Sequence, residues 1–256
     1  MNIVKIKVLK RSLNKELAQA LGGREIGACE VFEEGQEFFT AFTKPEGFCD
    51  WAWNDISKVA ISLLTGGDFS KGLFNGWLKR EGAMVACCTD GFRPVSFLLE
   101  RFDTEELTDV EGIKDPAPKA VYGSERWGEF SYALDGLKPG SAYSLRLHFA
   151  EIYFSGAGRR VFNVESGGAR LIEDLDVFAE AGGAFKALVK ELSVRADAKG
   201  RVEVRFAKGG ADNPKLSALE LIDGEGELVR AINAGGPSIG PYAADEGFVG
   251  GNGFGS

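Results

Sequence analysis

Hydrophobic and polar residues alternate along Tyr143–Phe149. Tyr143, Leu145, Leu147 and Phe149 fall on one face, and Ser144, Arg146 and His148 on the other. A period of two over this length predicts a β-strand with one buried face. The alternation ends before Glu151, Tyr153 and Phe154, and Ser155-Gly156-Ala157-Gly158 breaks the strand. A strand of this kind delivers a carboxylate and two adjacent aromatics to a loop mouth, where a scaffold holds binding residues still.

Upstream the pattern is mixed. Residues 3–9 set Ile3, Lys5, Lys7 and Leu9 against Val4, Ile6 and Val8, which predicts a strand. Ser12 is placed to cap a short helix with Leu13, Leu17 and Leu21 on one face, stopped by Gly22-Gly23. Glu34-Gly35 predicts a turn before Phe38-Phe39. Ile56, Val59, Ala60, Leu63 and Leu64 repeat at helical spacing up to Gly66-Gly67. Met84–Thr89 and Val95–Phe102 read as two strands joined through Asp90-Gly91. Together these make a compact α+β unit over residues 1–103. Residues 104–120 are acidic and then carry Asp115-Pro-Ala-Pro118, which suits a linker leading into the next unit.

From Val121 the pattern is all-β. Phe130, Tyr132 and Leu134 alternate with Glu129, Ser131 and Ala133, and Lys138-Pro139-Gly140 turns the chain into Tyr143–Phe149. Further short strands are predicted at Arg160–Val164, Ala187–Val194, Val202–Phe206, Leu216–Ile222 and Leu228–Asn233. Many short strands separated by Gly, Asp or Pro argue a sandwich or jelly roll.

Composition narrows the partners. The chain has 256 residues, enough for one large or two ordinary domains, and nearly all of its net charge of −8 falls after residue 103. An acidic second half speaks against nucleic acid or an anionic membrane as partner. Cys29, Cys49, Cys87 and Cys88 match no paired zinc-ligand spacing. They read as small buried hydrophobes, with a reactive thiol at Cys49 or Cys87 as the alternative. The N-terminus has no apolar run suited to a secretion signal, and no segment approaches the ~20 apolar residues of a membrane span. A cytoplasmic chain with reduced thiols and no cofactor is expected.

Two resemblances add to this. Cys49/Trp51/Trp53, Ala86-Cys-Cys-Thr-Asp-Gly91 and Arg93-Pro94-Val95 resemble a small prokaryotic family without established activity. Five later fragments resemble the malectin domain, a carbohydrate-binding β-sandwich. They are Val121-Tyr-Gly-Ser-Glu-Arg-Trp127, Leu147-His-Phe-Ala-Glu-Ile-Tyr-Phe154, Arg160-Val-Phe-Asn-Val164, Asp174-Leu-Asp-Val-Phe178 and Asp212-Asn-Pro-Lys215, in the family's order. A sixth, Ile232-Asn-Ala-Gly-Gly236, opens the domain in the family but here follows everything else. The resemblance implies a circularly permuted domain over about 105–256, in which residues 228–256 supply the usual first strand. Joining Ser256 to about Glu105 would restore the family's order. The alternative is a truncated second copy beginning near 225, which would leave the first sandwich with a bare edge. The fold expected is an α+β N-terminal domain followed by an all-β malectin-like β-sandwich of jelly-roll type, covering 121–256.

The resemblance also implies a sugar site at Trp127, Tyr153, Phe154, Asp212 and Phe254. Trp127 stands where the animal proteins have Tyr, and Phe254 would lack a hydroxyl contact. The chemistry is sound on its own terms. Aromatic rings cover the C–H face of a pyranose, and a carboxylate accepts strongly from adjacent hydroxyls. Each residue also has a plainer reading: Phe154 and Trp127 as core, Asp212 as an Asx turn, and Glu125 and Arg126 as structural contacts. The expected partner is a glucose-type oligosaccharide, a disaccharide among them, bound without catalysis; the oligomeric state is left open. Two enzymatic alternatives stand beside it: thiol chemistry, or hydrolysis by a Glu151/Asp212 carboxylate pair. A protein-interaction module that has lost sugar binding is the third. His148 has no Ser or Cys partner for a triad, and Asp174 with Asp176 is a weak metal pattern.

Overall fold

The computed structural model describes residues 2–254, and the chain divides into two compact units between Asp103 and Thr104. The proposed junction at Ser256 lies outside the described residues.

The first unit contains β1 (Asn2–Arg11), α1 (Lys15–Leu21), β2 (Glu37–Thr40), α2 (Asp50–Leu64), β3 (Ala83–Cys87) and β4 (Val95–Asp103). Its strands form one antiparallel sheet in the order β2-β1-β4-β3. Val4, Ile6 and Val8 share a core with Val95, Phe97 and Leu99, and α2 adds Ala52, Ile56, Ala60 and Leu63. The helical spacing from Ile56 marks only the buried stripe of α2. The helix itself begins at Asp50, with Cys49 at its N-cap position. The helix expected from Ser12 starts at Lys15 after Asn14 and buries none of its residues, so Leu17 and Leu21 stay exposed. Seven residues give too short an apolar stripe to hold a helix against a core.

The second unit opens with α3 (Thr104–Leu107) and a 3-10 turn at Lys119–Gly123. The stretch expected as a linker is therefore folded into this unit. Thr104 and Thr108 are buried, and Asp109 N–H donates to the Phe185 carbonyl. There follow β5 (Glu125–Leu134), β6 (Ala142–Ala150), β7 (Val161–Ser166), β8 (Ala169–Leu175), α4 (Val177–Ala181), β9 (Ala187–Arg195), β10 (Val202–Ala211), β11 (Lys215–Leu216), β12 (Ala218–Ile222), β13 (Leu228–Asn233) and β14 (Phe248–Phe254).

These strands build two antiparallel sheets. One runs β13-β12-β6-β9; the other runs β11-β5-β10-β7-β8, with β14 also on β5. Phe130, Tyr132, Leu145, Leu147, Phe149, Phe206 and Leu219 pack in one core drawn from both sheets, as in a β-sandwich. Tyr143–Phe149 lies within β6, and its four apolar residues are buried as the alternation predicts. His148 departs from the expectation of a polar, open face. It is fully buried, its Nδ1 is 3.0 Å from the Tyr122 hydroxyl, and its Nε2 is 3.5 Å from Glu220. A second layer of chain, Tyr122 and Tyr242, covers that face of the sheet.

The last residues lie in both sheets. Ile232 pairs with Leu219 and joins the core. Phe248–Phe254 runs along the side of β5 away from β10 and β11, pairing with residues from Tyr132 to Glu125. Between them, Asn233 is buried, accepts from Ser124 Oγ at 2.7 Å and donates to the Pro237 carbonyl at 2.8 Å. Gly235 has a φ of 72°, and a Cβ there would stand 2.0 Å from the Glu125 carbonyl oxygen. The glycine pair of Asn-Ala-Gly-Gly is what lets this turn lie against the start of β5.

Candidate functional site

The site is built at the end of β6. Glu151 folds its carboxylate back so that Oε1 accepts the backbone N–H of Tyr153 at 2.9 Å and of Phe154 at 3.1 Å. Its Oε2 accepts from Arg160 Nε at 2.8 Å. Arg160, just before β7, donates from Nη1 to the Asn213 carbonyl at 2.7 Å and lies 3.2 Å from Asp212 Oδ2. The same guanidinium sits 5.0 Å from the centre of the Phe154 ring. One buried cation thus joins the loop after β6 to the turn between β10 and β11. Asp212 adopts a positive φ of 49°, a conformation that Asp tolerates better than most side chains.

Trp127 comes to this turn from the other side. Gly128 forms a bulge at a φ of 98°, and its N–H donates to the Pro214 carbonyl at 3.1 Å. Trp127 stands opposite Lys215 on one flank and Asn252 on the other. Lys215 is fully buried, donates to the Ala150 carbonyl and pairs with Glu125. Arg126 pairs with Asp245, donates to the Gly250 carbonyl and lies over the Phe248 ring, so it ties β14 to β5. Glu125 and Arg126 therefore have structural partners.

Arg160 links Phe154, and through it Tyr153, to Asp212, and the Gly128–Pro214 hydrogen bond holds the strand that carries Trp127 against the same turn. Trp127 is 37% exposed and Tyr153 55%, Asp212 is exposed, and Phe154 is half-buried against Tyr153 at 4.9 Å between ring centres. Phe254, 41% exposed, pairs with Glu125 on β14, two positions beyond Asn252. The sequence reading did not single out Arg160 or Lys215. Each stands at the junction of a polar turn and a short apolar strand, where the sequence gives no sign that the charge is buried.

Charge in the cluster is settled internally. Burial pushes the Glu151 carboxyl up, but the Lys215 and Arg160 charges and the two backbone N–H donors outweigh it and hold it below the usual carboxylate range. Arg160 is raised despite its burial by Glu151, Glu125 and Asp212. Glu151 is therefore an ionised acceptor at neutral pH and not the proton-donating carboxylic acid of a glycosidase pair.

Asp176 caps α4 at Ala179 and accepts the Gly158 N–H. Among the described residues no group of three His, Cys, Asp or Glu is placed to hold a metal. All four cysteines are free. Cys87 is exposed rather than buried, and partial desolvation together with Cys88 and Asp55 pushes its thiol up, away from the reactive thiolate. No helix among the described residues is long and apolar enough to cross a membrane.

Comparison with known proteins places the second unit. Residues 95–219 match the family model described as the malectin domain. Malectin-A of Xenopus laevis is 33% identical over 127 residues, which cover 45% of this chain and 46% of that protein. Human malectin is 31% identical over 122 residues, covering 43% and 42%. The chain thus spans less than half the length of these relatives. The ANXUR1 extracellular domain of Arabidopsis thaliana aligns with a TM-score of 0.41 at 18% identity, over 44% of this chain and 35% of that one. The family match stops before Ile232–Gly236 and begins inside β4. Residues 95–219 are thus similar to the malectin domain, both by that match and by these relatives.

Proposed function

We propose that the second unit is a non-catalytic carbohydrate-binding module for glucose-type oligosaccharides. Trp127, Tyr153 and Phe154 supply ring faces, Asp212 supplies the acceptor, and Phe254 supplies an outer apolar contact. The observation that carries this reading is one guanidinium, Arg160, that holds the exposed Asp212 carboxylate at 3.2 Å and lies 5.0 Å from the Phe154 ring, against which the exposed Tyr153 ring packs. A carboxylate offers about four acceptor positions. Arg160 takes one and the Asn213 side-chain amide another, at 3.3 Å. The remaining lone pairs can accept from neighbouring hydroxyls of one sugar, while the rings cover its C–H face. The two named malectins support a sugar ligand by similarity alone.

The same reading takes residues 228–256 as the family's opening strand, supplied out of order. The pairing of β13 with β12 and of β14 with β5 supports it. Permutation keeps a site intact when the relocated segment returns to the same place in the sheet.

Calorimetric titration of the full chain with maltose and with cellobiose tests the function. The parent is expected to bind one of them, with Trp127→Ala and Asp212→Ala each weakening binding by about tenfold or more. A parent that binds neither, nor any glucan on a glycan array, would turn the exposed rings into a protein-contact surface instead.

A further inference from the structure

The geometry points to Arg160 as the positioning residue of this site, acting through Asp212; the inference rests on the saccharide reading above. Arg160 is buried and fixed from behind by Glu151 at 2.8 Å, and Glu151 is itself fixed by two backbone N–H groups. Its far end reaches Asp212 at 3.2 Å and the Asn213 carbonyl at 2.7 Å. Among the described residues Arg160 is the cation that pairs with Asp212, whose backbone sits at a positive φ. Without a fixed donor, an exposed carboxylate on such a turn would sample several rotamers. With Arg160 on Oδ2 and the Asn213 side-chain amide 3.3 Å from Oδ1, the carboxylate is oriented before any ligand arrives, and each oxygen keeps a lone pair for it. That preorganisation lowers the ordering cost of binding.

The planar fork of Arg is required for this. It addresses Glu151 from Nε and Asn213 with Asp212 from Nη1, two directions that a lysine ammonium cannot span. Arg160 does not touch the sugar in this account. Its effect on affinity must therefore shrink once residue 212 carries no negative charge for the guanidinium to hold.

A double-mutant cycle on the full chain, read by calorimetry with maltose and cellobiose, tests this. Arg160→Lys is expected to weaken binding about tenfold, and Asp212→Asn by a similar factor. Their combination should be no more than about threefold weaker than Asp212→Asn alone. Arg160→Lys combined with Trp127→Ala should instead show the product of the single effects. Circular dichroism melting confirms that each variant is folded at the titration temperature, and Arg160→Gln enters the same cycle should the lysine variant not fold. If the parent binds but Arg160→Lys binds equally well, or if its effect multiplies with that of Asp212→Asn, the positioning role is wrong and the saccharide reading stands. If the parent binds neither sugar, both fall together.

Discussion

Glu151 shows how far a single residue can be misjudged from its neighbours in sequence. Its place at the end of an alternating strand suggests a group offered to solvent, yet it is buried under two backbone donors and Arg160. Glu151→Gln keeps the shape and the acceptor for Tyr153 and Phe154 but leaves Arg160 and Lys215 short of a counter-charge. A loss of about 3 kcal/mol in the stability of the second unit is expected by urea unfolding at neutral pH. The same carboxylate sets a pH dependence. Its folded value is depressed, so its contribution is complete above the ordinary glutamate range, ~4.3, and is lost as pH falls through the lower folded value. The parent should therefore lose stability through that acid window more steeply than Glu151→Gln; equal slopes would show that Glu151 is not a controlling group. His148 was equally illegible. Alternation places it on the face away from the core, but cannot foretell that Tyr122 and Tyr242 form a covering layer there. Tyr153, Phe154 and Asp212 follow from the motifs that carry the family resemblance, and the structure leaves Tyr153 and Asp212 exposed.

Among elements, those with strict alternation or helical spacing were legible, and those whose residues serve close packing were not. β5 and β6 follow from period two, β13 from a short run between turn residues, and the buried stripe of α2 from its 3.6-residue spacing. β14 reads Phe-Val-Gly-Gly-Asn-Gly-Phe and has no apolar face to betray it. It forms because Gly250 and Gly251 take positive φ beside the Gly128 bulge, where a Cβ on Gly251 would meet the Trp127 carbonyl oxygen at 2.9 Å. β8 was missed for a related reason: its Ala169–Leu175 pattern is mostly exposed or half-exposed. The Asn-Ala-Gly-Gly turn offers the sharper test of this packing. Gly235→Ala combines a left-handed backbone with a Cβ far inside contact distance of Glu125. It is expected to destabilise the second unit by more than ~2 kcal/mol, seen as a lower melting temperature. Gly224→Ala, where nothing lies within 4 Å of a built Cβ, serves as the control and should change little.

Across the whole molecule, two units were legible from the change of pattern near residue 103, whereas the role of residues 104–120 was not. Proline and acidic composition describe a linker, but Thr104, Thr108 and the Asp109 backbone are committed to the second unit. Composition cannot register contacts made with a segment some eighty residues away. Ending the chain at Gly224 is expected to remove Ile232 and Ala234 from the core and to strip one side of β5. Near-ultraviolet dichroism of the second unit should then collapse; a retained native spectrum would mean that the two last strands are accessory. The pairing of Gly250 with Phe130 carries one further consequence. During synthesis, β5 leaves the ribosome roughly 120 residues ahead of its neighbour, a wait on the order of ten seconds. Throughout that interval its hydrogen-bonding flank is bare, and another newly made chain carrying the same late strand can fill it. Crowded polysomes would thus favour exchange of Phe248–Phe254 between copies, giving swapped dimers whose yield rises with expression rate.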